Sequence, residues 1–214
     1  MAEIRTRLAT EWLSSGEATG IKSGDYAGGD YMETDADGQY RAYGGATQWD
    51  DLKFPATTLR QGVSTKPDFD ATNLGLLFPQ NDATEIVYII AQMPHEWKLE
   101  SDISPHIHFV QDFDHTVTTP VFKMDYRWYK NGEDPTGSFT TITASTFVFP
   151  YTSGSILQIV SFPDISATGI DGISSILDIK LYRDDNVVTG DILVKEFDIH
   201  YQIDSFGSNT EFAK

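Results

Sequence analysis

The chain has 214 residues, and 32 Asp plus Glu against 15 Lys plus Arg leave a formal charge of −17. So acidic an envelope repels phosphate backbones, which sets nucleic-acid binding aside, and the absence of cysteine excludes disulfides, thiolate metal sites and thiol catalysis. No apolar run reaches the roughly 18 residues of a membrane span, and Met1 is followed by Ala2-Glu3-Ile4-Arg5 rather than a signal-peptide core, so the expectation is a soluble globular protein that is not secreted by the usual route and has no membrane partner.

Asp outnumbers Glu 22 to 10, and 22 Thr, 18 Ile and 10 Val supply β-branched side chains. Asp favours turns, and β-branched residues fit a pleated surface better than a helix. The composition therefore predicts β-structure.

Residues 1 to about 59 read as an extended N-terminal arm. The first 54 hold 8 of the 17 glycines and scattered tyrosines (Tyr26, Tyr31, Tyr40, Tyr43) without a sustained period of 2 or 3.6. Only Ile4 to Leu13 has the spacing of a short amphipathic helix, through Ile4, Leu8 and Trp12. Glu33-Thr34-Asp35-Ala36-Asp37-Gly38 starts like a calcium loop, but its twelfth position is Gly44 rather than Glu. An ordinary Asp-Gly turn is the better reading. At the end of the arm, Trp49, Leu52, Phe54 and Pro55 are expected to form a hinge that packs on a sheet edge.

The remainder, residues 60–214, predicts eight strands, at about 74–79, 85–92, 106–111, 120–130, 139–149, 155–162, 173–183 and 190–204. In the fourth, Phe122, Met124, Tyr126 and Trp128 alternate with Lys123, Asp125 and Arg127, giving one dry and one wet face. In the last, Leu193, Phe197, Ile199, Tyr201 and Ile203 are expected inward and Glu196, Asp198, His200 and Gln202 outward. Ile86 to Ile90 is apolar on both faces, as in a central strand or one covered at an interface. Asn131-Gly132, Asp134-Pro135-Thr136-Gly137, Asp171-Gly172 and Asp184-Asp185-Asn186 supply turns. Closely spaced strands without helices predict an all-β, antiparallel, jelly-roll-like β-sandwich carrying the irregular N-terminal arm.

Common catalytic signatures are missing: no phosphate loop, dinucleotide fingerprint or nucleophile elbow occurs. His95-Glu96-Trp97-Lys98-Leu99 opens like a zinc-protease motif but lacks the second histidine. Two other patterns matter more. His106-Ile107-His108 and Asp198-Ile199-His200 each place two polar side chains on one strand face. If those strands were neighbours, His106, His108 and His200 would converge with a carboxylate in a set that suits zinc, iron or nickel. The plainer alternative is polar cross-strand pairing or a subunit contact, with no cofactor at all. His-x-His on a strand also resembles the cupins, but a suitable glycine before His106 is lacking, and Asp112 and Asp114 stand where a cupin glutamate is expected. A cupin-like metal enzyme is the alternative that this weaker resemblance leaves.

A larger set of motifs carries a second resemblance. It comprises Gln48-Trp49-Asp50-Asp51-Leu52 with Phe54-Pro55, Gln92-Met93-Pro94-His95-Glu96-Trp97-Lys98, and Ser101-Asp102-Ile103-Ser104-Pro105-His106-Ile107-His108. Asp125-Tyr126-Arg127-Trp128, Ile176-Leu177-Asp178-Ile179-Lys180-Leu181-Tyr182-Arg183-Asp184 and Glu196-Phe197-Asp198-Ile199-His200-Tyr201-Gln202 with Gly207-Ser208 complete it. Over residues 48 to 208 the chain resembles a group of tailed-bacteriophage virion proteins. That resemblance implies a non-enzymatic particle component: a capsid decoration or head-fibre protein, or a neck or tail appendage. It also implies homotrimers of β-sandwich domains, with the major capsid protein or neck and tail proteins as partners, on the exterior of a virion assembled in the host cytoplasm. The alternative within this setting is a host-receptor or glycan-binding adhesin, using loops 131–138 and 150–155 with Tyr129, Phe139 and Tyr151.

Overall fold

The structure is a computed structural model that describes residues 31–34, 40–43, 47–80, 82–111, 120–145, 156–184, 190–208 and 211. The candidate helix at Ile4 to Leu13 lies outside these residues, as do Asp112, Asp114 and Tyr151. Thirteen strands occur among the described residues, with one short 3-10 turn at Ala56–Thr58 and no helix long and apolar enough to cross a membrane.

Eight principal strands form two antiparallel sheets. They are β6 (Gly75–Phe78), β7 (Val87–Gln92), β8 (Ser104–Gln111), β9 (Phe122–Tyr129), β10 (Thr140–Thr143), β11 (Ile156–Ser161), β12 (Ile176–Arg183) and β13 (Ile192–Ile203). One sheet has the order β10-β9-β12-β7 and is extended by β4 (Arg60–Gln61). The other has the order β11-β8-β13-β6 and is extended by β5 (Asp68–Asp70). Each predicted strand has a counterpart, although the one expected at 139–149 is shortened to Thr140–Thr143, with 146–149 outside the described residues. From β4 onward, successive strands cross between layers except at β5–β6 and β9–β10, so each sheet is assembled largely from segments distant in the chain.

Alternation places the core between the layers. Phe122 and Met124 of β9, Leu177, Ile179 and Leu181 of β12, Ile107 and Phe109 of β8, and Phe197 and Ile199 of β13 are all buried in one cluster. Phe122 touches both Phe78 and Phe109 of the opposite sheet, with ring centroids 5.7 and 6.3 Å apart. Tyr126 and Trp128 extend the dry face of β9, and Trp128 stacks on the buried Trp97 at 6.0 Å. The protein is an all-β sandwich.

Three features depart from the sequence expectations. First, residues 48–59 do not belong to an arm separate from the sandwich. β3 (Gln48–Pro55) pairs with β13 over its full length, from Gln48 opposite Ile203 to Pro55 opposite Glu196. The boundary expected at 59/60 thus falls after a strand that is already part of the sheet. Leu52 and Phe54 pack inward on the core, Phe54 lying 6.1 Å from the Phe197 ring, while Trp49 points out and Pro55 ends the strand in an exposed position. These four residues make the edge strand itself rather than a hinge against it. Upstream, β1 (Tyr31–Thr34) and β2 (Tyr40–Tyr43) form an antiparallel pair with Thr34 opposite Tyr40; Asp35 to Gly38 of the turn or calcium-loop pattern lie outside the described residues. The pair is tied to the C-terminal side of β13 by Ala42 N donating to Asp204 O at 2.6 Å.

Second, a β-bulge between Val194 and Glu196 shifts the phase of β13. Beyond it Phe197, Ile199 and Tyr201 are buried as expected. Before it Ile192 and Val194 are the buried pair, and Leu193 faces out, opposite Leu77 and Val110. A strict period of 2 places Leu193 on the wrong face because the extra residue at Lys195 resets the alternation. Third, β7 is covered by β12 on one side but only by two residues of β4 on the other. Its second apolar face is open, with Ile90 69% exposed.

Candidate functional site

β8 and β13 are neighbours, and their register brings the two histidine patterns together: Asp198 lies opposite His106, and Glu196 opposite His108. These side chains share the outer face of the six-stranded sheet, because the intervening Ile107 and Ile199 are in the core. On the other side of β13, Lys53 lies opposite Asp198 and Asp51 opposite His200. Three of the chain's five histidines are thereby gathered at one seam.

The buried carboxylate is the hub. His106 Nε2 is 2.6 Å from Asp198 Oδ1, and His108 Nε2 is 3.3 Å from Oδ2. His106 and Asp198 are 5% and 4% exposed. The His106 contact has the distance of an ion pair but not the alignment of a hydrogen bond, so Oδ1 is a buried oxygen without an aligned donor. The His106 ring also lies 5.1 Å from that of His108 and 4.4 Å from that of His200. His200 Nε2 is held in turn by Asp51 Oδ1 at 3.0 Å.

Burial of the His106 ring opposes its charged form. The Asp198 carboxylate against it, a backbone hydrogen bond at Ser104 and the charge of Asp51 together outweigh that burial and hold His106 above the ordinary histidine range. The nitrogens of His106 and His108 and an oxygen of Asp198 lie within 4.8 Å of one another. Two imidazoles and a carboxylate form a borderline-hard donor set.

Sequence reasoning anticipated His106, His108 and His200 at one place, and Asp198 with them. It did not anticipate Asp51. The signal was Asp51's position two residues before Lys53 and out of phase with Leu52 and Phe54, a pattern too short to reveal β3. Of the remaining candidates, His95 is pinned between two hydroxyls, Nδ1 at 2.8 Å from Ser208 Oγ and Nε2 at 3.1 Å from Ser174 Oγ, far in chemistry from a protease zinc ligand. Glu96 instead approaches the Tyr201 hydroxyl, which also faces Asp50, each at 3.4 Å. Burial and the two carboxylates push that phenol far up.

Beside the histidine seam runs a row of apolar side chains. Leu77, Leu193, Val110 and Leu157 are directly opposed in sequence across β6, β13, β8 and β11. Leu157 is 56% exposed, and Ile159, opposite His108 one row further on, is 51% exposed. A groove lies along the row, lined by its four aliphatic residues together with Asp70, Asn73, Asp191 and Lys195.

A scan against protein-family models gives no match, and no curated protein matches the chain.

Proposed function

We propose that the protein is a non-enzymatic structural component of a tailed-bacteriophage virion, a capsid decoration, head-fibre or appendage protein that works as a homotrimer. The strand order β11-β8-β13-β6 against β10-β9-β12-β7 is the order that a jelly roll would have, and we read the sandwich as one. The observation that carries the reading is the apolar row Leu77–Leu193–Val110–Leu157 with Ile159. A face of four adjacent strands that presents aliphatic side chains to solvent is suited to burial against another copy. The acidic remainder keeps copies apart except where this face meets its partner.

The seam histidines support a structural reading more than a cupin-like enzyme, since they join adjacent strands of one sheet through a single buried carboxylate. An adhesin is less favoured for a specific reason. The Phe139 ring is clasped between Arg127, 4.5 Å from its centroid, and Lys180, 3.9 Å away, and the Tyr129 hydroxyl donates to Asp178. Those aromatics are engaged within the sandwich rather than offered to a sugar.

The test is the mass of the full chain in solution. Sedimentation equilibrium at micromolar concentration should return three times the 23.9 kDa chain mass, and Leu157→Lys combined with Ile159→Lys should return one. A wild-type monomer, or a trimer that the double substitution leaves intact, would contradict the role assigned to this face.

A further inference from the structure

We infer that His106, His108 and Asp198 form a binding site for a divalent first-row transition-metal ion, zinc being the representative used below. The inference does not depend on the virion reading. Two observations on these side chains support it. The first is the donor set itself, two imidazole nitrogens and a carboxylate oxygen within 4.8 Å of one another on paired strands. Donors around tetrahedral zinc stand about 3.3 Å apart at ordinary bond lengths. His108 Nε2 stands at that distance, 3.3 Å, from Asp198 Oδ2, while His106 Nε2, 2.6 Å from the other oxygen Oδ1, needs to move off by several tenths of an ångström.

The second observation is Asp198 Oδ1. An oxygen buried to this degree ordinarily accepts a hydrogen bond, and leaving it without one is costly. Oδ1 has no aligned hydrogen-bond donor, and its contact is the 2.6 Å ion pair with His106 Nε2. A divalent cation would take the place of the His106 proton between this carboxylate and the imidazoles.

The surroundings fit such an occupant. His200 lies edge-on to the His106 ring at 4.4 Å, but its Nε2 is held by Asp51 at 3.0 Å and it does not belong to the donor set. A fourth coordination position falls to water. His108 is only half-buried, which gives an ion a way in from solvent. Bound at this seam, the ion cross-links β8 to β13, the two strands at the centre of the six-stranded sheet.

The experiment is zinc titration of the untagged, chelator-treated full chain by calorimetry, alongside His108→Ala, Asp198→Asn and His95→Ala. The wild type should bind one ion per chain saturably, and zinc should raise its melting temperature. His108→Ala and Asp198→Asn should each weaken binding at least about tenfold, and His95→Ala should leave it unchanged. His108 is half-buried, so its alanine variant is the one expected to keep the fold, and circular dichroism checks this. If Asp198→Asn does not fold, the folded His108→Ala chain decides alone. Absence of saturable uptake by the wild type, undiminished uptake by folded His108→Ala, or loss of uptake in His95→Ala would each overturn the site.

Discussion

The guanidinium of Arg183, fully buried at the end of β12, donates to the carbonyl of Phe78 at 3.0 Å and so joins the end of one sheet to the end of β6 in the other. The same nitrogen donates to Gly190 O at 2.6 Å, just before β13 begins. One cation thus satisfies two carbonyls, one at the end of β6 and one just before β13, from the end of β12. Replacing Arg183 with Met keeps the apolar stem but strands these acceptors. The expected loss is about 3 kcal/mol, read as a lowered urea midpoint with an unchanged slope. An unchanged midpoint would show that water satisfies the carbonyls equally well.

Gly75 is required by space. A Cβ at this position would stand 2.6 Å from Leu193 Cδ1 and 2.8 Å from the carbonyl oxygen of Val194. The leucine tip can turn away, but the Val194 oxygen belongs to the bulged strand and cannot. Gly75→Ala should therefore cost about 1–3 kcal/mol in urea denaturation. Because it also displaces Leu193 within the apolar row, it should weaken self-association in the same samples. Wild-type stability would contradict the contact.

Two truncations separate arm from sandwich. Deleting residues 1–45 removes the β1–β2 pair and its link to Asp204 but leaves β3 in place. That chain should unfold cooperatively. Deleting residues 1–58 also removes β3, exposing Phe197 and Ile199 where Phe54 and Leu52 had covered them. The expected further loss is at least about 3 kcal/mol, on the burial of two large apolar side chains. Equal stability of the two truncations would return β3 to the arm.

Alkaline pH gives a signed prediction. Burial, followed by the charge of Asp125 and the hydrogen bond to it at 3.1 Å, pushes the Tyr182 phenol up to about 12. An unfolded tyrosine ionises near pH 10, so between about 10 and 12 the unfolded chain binds fewer protons than the folded one, and stability falls as pH rises. In Tyr182→Phe this decline should become shallower by one tyrosine's share, with the Tyr201 contribution remaining. An identical slope in the variant would show that Tyr182 ionises freely in the fold.

How legible all this was in the sequence depended on the length of each pattern. β9 announces itself, since four apolar residues alternate with three charged ones and both faces are where that alternation puts them. β3 was hidden because only Leu52 and Phe54 carry its inward phase, and Asp50, which shares their face, meets a hydroxyl rather than the core. The bulge at Lys195 was invisible because a single inserted residue leaves no compositional trace, although it decides which face Leu193 takes. Arg183 ends the alternation of β12 on an inward position, and a charged residue there reads as the end of a strand rather than as core. The histidine seam was half legible. Spacing fixed which side chains share a face, while adjacency of β8 and β13, set by contacts over some ninety residues, came only with the fold.

The most direct test of the central claim is to locate the chain on particles. Tailed phage whose genome carries this sequence should be banded to purity, intact and treated with an antibody to the sandwich, and imaged by electron microscopy. Label is expected on the outside of the head, neck or tail of intact particles, with peptides of the chain co-purifying in fixed ratio to the major capsid protein. Particles free of both label and peptides, from cells that contain the soluble chain, would contradict the claim.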